Sequence, residues 1–136
     1  MLRRAINPDG VEQLGLYSSA FRVSGGDLIV CSGITSVDAD GQTVGVGDAA
    51  AQTQQIFQNL ATVLAAAGAS LDDVISLRIY STDMGNLAAI NGERLKAFSE
   101  PLPASTHVGV TSLAKPDRLL EIEALAVVPS EPGDER

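Results

Sequence analysis

No tryptophan occurs in this chain, aromatic residues make up only 4% of it, and there is one cysteine and one histidine. Each scarcity excludes something. A lone Cys31 rules out an intrachain disulfide and a cysteine-based metal site, and its place in the run Leu28-Ile29-Val30-Cys31-Ser32 reads as a small buried hydrophobe. With so few aromatics the core has to be built from Val, Leu, Ile and Ala, side chains that suit close packing and an oligomer interface. Nowhere is an apolar run long enough to span a bilayer, and Met1 to Pro8 carries two arginines with no apolar stretch behind them. A cytoplasmic protein with no membrane partner is the expectation. Basic residues are few as well: nine Lys and Arg stand against seventeen Asp and Glu, for a formal net charge of -8, and no cluster concentrates the nine. Such a chain repels a phosphate backbone, so nucleic acid is not an expected partner. Neither a Walker pattern nor GxGxxG is present. The glycines of Gly45-Val46-Gly47 therefore read as a loop before a helix capped by Asp48, not as a phosphate cradle.

What is there fits one ordinary domain of 136 residues. We place it at residues 1–128 and read the polar, Pro- and Gly-rich 129–136 as a tail. Arg3 to Ile6 makes a first strand before the turn Asn7-Pro8-Asp9-Gly10. Phe21-Arg22-Val23 and Leu28 to Ser32, joined by Ser24-Gly25-Gly26-Asp27, read as a hairpin, with Gly33 marking a bulge or a close backbone approach. A helix is predicted from about Ala49 to Ala67. Thr53, Ile56, Phe57, Leu60, Val63, Leu64 and Ala67 form its apolar stripe, Gln52, Gln55, Gln58 and Asn59 lie largely outside it, and Gly68 is the stop. Val74 to Tyr80 follows as a strand with Ile75, Leu77 and Ile79 on one face and Ser76, Arg78 and Tyr80 on the other. A second helix begins near Asp83, runs through Leu87, Ile90, Leu95 and Phe98, and is closed by Pro101 and Pro103. Two further strands lie at residues 103–110 and 121–128. This order of elements gives an α+β domain with two helices packed on one face of a mixed sheet.

The chemistry-bearing residues gather in the last two strands. Glu121 and Glu123, two apart in an apolar β-branched run, point the same way, and each needs solvent, a partner or a task. Ser105 and His107 likewise share a face, and with Glu121 they read as a neighbouring polar set. A nucleophilic triad would ask for Ser105 on a strained, exposing turn, whereas it sits on a regular strand. His107 reads as a pocket acid, base or donor, or else as a satisfied histidine. Arg78 is either an ion-paired sheet arginine or an anchor for an anion.

These residues resemble a family. Pro103-Ala104-Ser105-Thr106-His107-Val108-Gly109-Val110 followed by Glu121-Ile122-Glu123-Ala124 is similar to the C-terminal signature of the Rid proteins (YjgF/YER057c/UK114). The likeness extends upstream through Tyr17-Ser18-Ser19-Ala20, Ser32-Gly33, Gln55, Asn59-Leu60, the run Ala67 to Val74, Asp83-Met84 and Ala88-Ala89-Ile90-Asn91, in family order and spacing. The resemblance implies a chorismate-mutase-like fold, a homotrimer with pockets between neighbouring subunits, and no metal or organic cofactor. Its type members hydrolyse reactive enamines and imines to keto acids and ammonia. It implies Glu121 as a catalytic group that orients the attacking water, and Tyr17, Ser32, Gly33, Asn91 and the position of Ser105 as substrate-binding; His107, read from its place on the Ser105 face, joins Glu121 as a catalytic candidate. Two positions depart from the pattern. Ser105 stands where the deaminating members have an arginine for the substrate carboxylate, and Ile34 stands where a glutamine is usual. A serine lacks the two-pronged donor of a guanidinium, so the departure bears on the 2-iminobutanoate and 2-iminopropanoate substrates and leaves the fold untouched. The expected function is a cofactor-free imine or enamine hydrolase, and the alternative is a non-catalytic metabolite-binding protein.

Overall fold

The computed structural model describes residues 2–12 and 14–131; of the expected tail at 129–136, residues 132–136 lie outside the described residues. Strands β1 (Arg3–Ile6), β2 (Ala20–Val23) and β3 (Asp27–Ile34) precede helix α1 (Ala49–Ala66). Strand β4 (Val74–Ser81), helix α2 (Leu87–Ala97), and strands β5 (Ala104–Gly109) and β6 (Leu120–Val128) complete the chain. The main sheet has the order β3-β6-β4-β5, with β4 and β5 parallel and the other pairs antiparallel. The ends of α1 follow from its sequence. The Asp48 carboxylate accepts the Ala51 N–H at 3.0 Å as N-cap, and Gly68, at φ +76°, takes the left-handed conformation that closes α1.

The core lies between the helices and one face of the main sheet. Ile56, Leu60 and Leu64 of α1 and Ile90 of α2 pack over Leu77, Ile79, Leu120, Ile122, Ala124 and Ala126, all at most 3% exposed. Phe57 and Phe98 meet edge to face at 5.2 Å between ring centres, tying α1 to the end of α2. The opposite face of the sheet is open in a single chain. Leu28 and Val30 of β3 are 61% and 70% exposed, and Val108 of β5 is 42% exposed.

Two local expectations are corrected. The Ser24–Asp27 turn reverses the chain, but β2 pairs with β1 as a separate two-stranded ribbon while β3 pairs with β6, so the two strands are not a hairpin. In α1, Val63 is 46% exposed and Gln52 is fully buried, the reverse of the predicted stripe. Gln52 is drawn inward because its amide serves three main-chain groups. It donates to the carbonyls of Gly45 (3.1 Å) and Asp117 (2.9 Å) and accepts from the Leu119 N–H (2.9 Å).

Candidate functional site

The register of the sheet decides which predicted residues meet. Leu77 and Ile79 of β4 face the helices, and they stand beside Ser105 and His107 of the parallel strand β5. Tyr80 stands beside Glu121 and Arg78 beside Glu123 across the antiparallel β4 and β6 pair. Side chains alternate along a strand, so Ser105 and His107 point to the helix side and Glu121 and Glu123 to the open side. The predicted neighbouring set is therefore divided in one chain, and a Ser105-His107-Glu121 triad within it is excluded. Arg78 is separated from Ser105 in the same way. It lies in a depression of ≈ 290 Å³ on the open face with Tyr80, Thr106 and Val108.

Two groups result, at opposite edges of the sheet. At the β3 edge, the register against β6 shifts between Cys31 and Ile34, which sets Ser32 and Gly33 against a single residue of β6 as a bulge. Gly33 lets the carboxylate rest against the backbone in the position it takes here: a Cβ on it would lie 2.8 Å from Cδ of Glu121 and would push that side chain aside. Ser32 is exposed beside it, whereas Ile34, pairing with Ile122, packs against the core. Among the described residues the Glu121 carboxylate has no hydrogen-bond or ion-pair partner, whereas Glu123 accepts the Tyr80 hydroxyl. That bond raises the Tyr80 pKa above the ordinary phenol value.

At the β5 edge, the segment before β2 closes over the start of β5. The Ser18 N–H donates to the Pro103 carbonyl at 3.1 Å, which brings half-buried Tyr17 beside the strand carrying Ser105 and His107. Asn91 of α2 joins this group through Arg94, whose guanidinium donates to Asn91 Oδ1 at 3.3 Å and to the Leu16 carbonyl. Both ring nitrogens of His107 are buried without a hydrogen-bond partner. Burial first, and the nearby Arg94 charge second, hold its pKa below the usual histidine value. A depressed folded-state pKa keeps the imidazole neutral near pH 7. Stability from this group is complete above the unfolded value of about 6.5 and is lost as pH falls from there through the folded pKa. The ring resonances of His107 should accordingly titrate below that value by NMR, and His107→Gln should flatten this part of the stability–pH curve.

Arg94 was not among the residues singled out from sequence. The signal was present, since Arg94 falls four residues after Ile90 and four before Phe98, on the buried stripe of its helix.

No group of three or more His, Cys, Asp and Glu suited to a metal ion occurs among the described residues, and no helix is long and apolar enough to cross a membrane. A mixed sheet backed on one side by two helices is the fold of the YjgF/Rid proteins. The comparisons agree. Residues 9–128 match the family model described as Endoribonuclease L-PSP. The chain is 36% identical over 129 residues to the 3-aminoacrylate deaminase RutC of Acinetobacter baylyi, spanning 94% of this chain and 100% of that protein. It is 31% identical over 121 residues to a 2-iminobutanoate/2-iminopropanoate deaminase of Dermatophagoides farinae, spanning 89% and 92%. The Rid-family protein YyfB of Yersinia pestis superimposes with a TM-score of 0.85 at 36% identity, covering 94% of this chain and 100% of that one. The chain belongs to the Rid (YjgF/YER057c/UK114) family.

Proposed function

We propose that this protein is a cofactor-free hydrolase of small imine or enamine metabolites, working in clefts between the subunits of a homotrimer. The observation that carries this reading is the division of the site. Ser32, Gly33 and Glu121 lie at the β3 edge, and Tyr17, Asn91, Ser105 and His107 lie at or beside the β5 edge of the same sheet. A head-to-tail ring that seats the β3 edge of one copy against the β5 edge of the next joins the two groups into one pocket. The exposed Leu28, Val30 and Val108 on the open face gain cover in such a ring.

In the joined pocket a protonated imine carbon is already electrophilic. Glu121 takes a proton from water as the oxygen adds to that carbon, and the proton passes on to the nitrogen of the resulting carbinolamine. Glu121, again a carboxylate, takes the carbinolamine O–H proton as the C–N bond breaks, leaving a carbonyl compound and ammonia. Gly33 lets the carboxylate and the substrate approach the backbone, and neutral His107 hydrogen-bonds the substrate from the other side. Deaminase names among relatives support the reaction class. The family description as an endoribonuclease finds no support in a chain of net charge -8. Ser105 and Ile34 favour the second reading, a metabolite-binding protein without turnover.

The test is hydrolysis of freshly generated 2-iminobutanoate and of 3-aminoacrylate, read from semicarbazone formation in competition, on protein whose mass in solution is measured by sedimentation. Accelerated loss of either substrate by a trimer is the expected result. A monomer, or a trimer that accelerates neither, removes the enzymatic reading.

A further inference from the structure

Arg94 carries a charge that the described chain does not neutralise. It is 3% exposed, yet its Nε is buried without a partner, and among the described residues no carboxylate pairs with it. Among the described residues, two neutral oxygens, of Leu16 and Asn91, receive its other nitrogens. The other buried arginine shows what a structural guanidinium looks like in this fold. Arg118 donates to the hydroxyls of Thr43 (2.7 Å) and Thr35 (2.5 Å) and lies 3.7 Å from the Asp117 carboxylate. A buried cation without counter-charge is costly unless something negative arrives. Beside Arg94, His107 offers two more unpaired buried nitrogens, so the cluster holds unused donors and acceptors from α2 and β5 together.

We infer that Arg94 is the anion anchor of this site, receiving the carboxylate of a small 2-imino or 2-oxo acid. The inference rests on the reading of the β5-edge cluster as half of the substrate pocket. Among the described residues, Arg94 is held to the covering segment by one main-chain carbonyl, that of Leu16, which lies in neither a helix nor a strand. Exchanging that carbonyl for a carboxylate replaces a dipole by a full negative charge and allows a two-pronged guanidinium contact. Ser105, short and neutral, lies on the same face of β5 as His107. Arg78, across the sheet, is not available for this task.

The experiment is calorimetric titration with 2-oxobutanoate and with its neutral amide, on the full chain as wild type, Arg94→Met, Arg94→Lys and the double variant Arg94→Met/Ser105→Arg. Wild type should prefer the acid over the amide by at least about tenfold, as expected for a charge-assisted contact. Arg94→Met should reduce that preference to near one, Arg94→Lys should retain part of it, and the double variant should restore it from β5. The preference is a ratio, so partial unfolding does not imitate its loss. Removing an uncompensated buried charge should also leave the melting temperature of Arg94→Met unchanged or raised, whereas a purely structural arginine would lower it. Equal preference in wild type and Arg94→Met, no binding of 2-oxobutanoate by wild type, or a lowered melting temperature with the preference intact overturns the inference. Arg94-dependent binding without hydrolysis of any imine would sustain the anchor and remove the enzyme.

Discussion

Glu121→Gln is expected to lower the turnover of imine hydrolysis by about 10²- to 10⁴-fold, the span that general-base catalysis commonly contributes, with KM changed little. The split follows from where the group sits. Glu121 lies at the β3 edge against Gly33, apart from the Asn91, Arg94 and His107 cluster assigned to binding, so removing its negative charge leaves the binding half intact. The amide is isosteric and cannot accept a proton from water. Because the carboxylate has no partner among the described residues, its neutralisation frees no buried group, and the melting temperature should stay within about a degree or two of wild type, as for an ordinary surface change. Glu123→Gln provides the contrast. That carboxylate is already engaged by the Tyr80 hydroxyl and stands beside Arg78, so its loss should move stability more than turnover. Steady-state kinetics and thermal melts of both variants decide the matter. Equal turnover in wild type and Glu121→Gln would leave the protein a binder.

The order of elements and the caps were legible because they are written in short-range patterns: alternation in Glu121 to Val128, spacing of three and four in α1, and Asp48 and Gly68 at its ends. Partnership between strands was not. The turn at Ser24–Asp27 announces a reversal, but which strand lies next to β3 is settled by β6, nearly a hundred residues away. The same limit governed the site. Alternation placed Ser105 with His107 correctly, and Glu121 with Glu123 correctly, yet no local rule sets the phase of one strand against another. Only the shared partner β4, with Ile79 beside His107 and Tyr80 beside Glu121, shows the pairs on opposite faces. The sequence pattern places Gln52 on the exposed face of its helix and does not single out Arg94, for a different reason. Each is a polar side chain on the buried stripe of a helix, and counting polarity sends such residues to solvent unless one asks what buried main-chain or ligand groups need them.

Gln52 yields the largest expected stability effect. Gln52→Leu keeps the volume and the apolar stem but strips two donors and an acceptor from a fully buried position. It leaves the Asp117 carbonyl and the Leu119 N–H without their partner, while the Gly45 carbonyl keeps the Asp48 N–H at 2.9 Å. Each unmet group costs about 1–3 kcal/mol, and some relief comes from water and from the added apolar contact, so a loss of roughly 2–4 kcal/mol is expected. Against a typical stability of about 5–15 kcal/mol this is severe. Gln52→Glu should be no better, since a carboxylate can still accept from Leu119 but repels both carbonyls and would be buried as a charge. Urea denaturation at a fixed protomer concentration measures the difference, with a lower midpoint and an unchanged slope as the expected signature. The consequence extends to chemistry. Leu119 lies two residues before Glu121, so its N–H bond to Gln52 fixes where β6 begins and how the carboxylate meets Gly33. Turnover should therefore fall in Gln52→Leu even at temperatures where the chain remains folded, and the affinity for 2-oxobutanoate, held at the other edge of the sheet, should fall less.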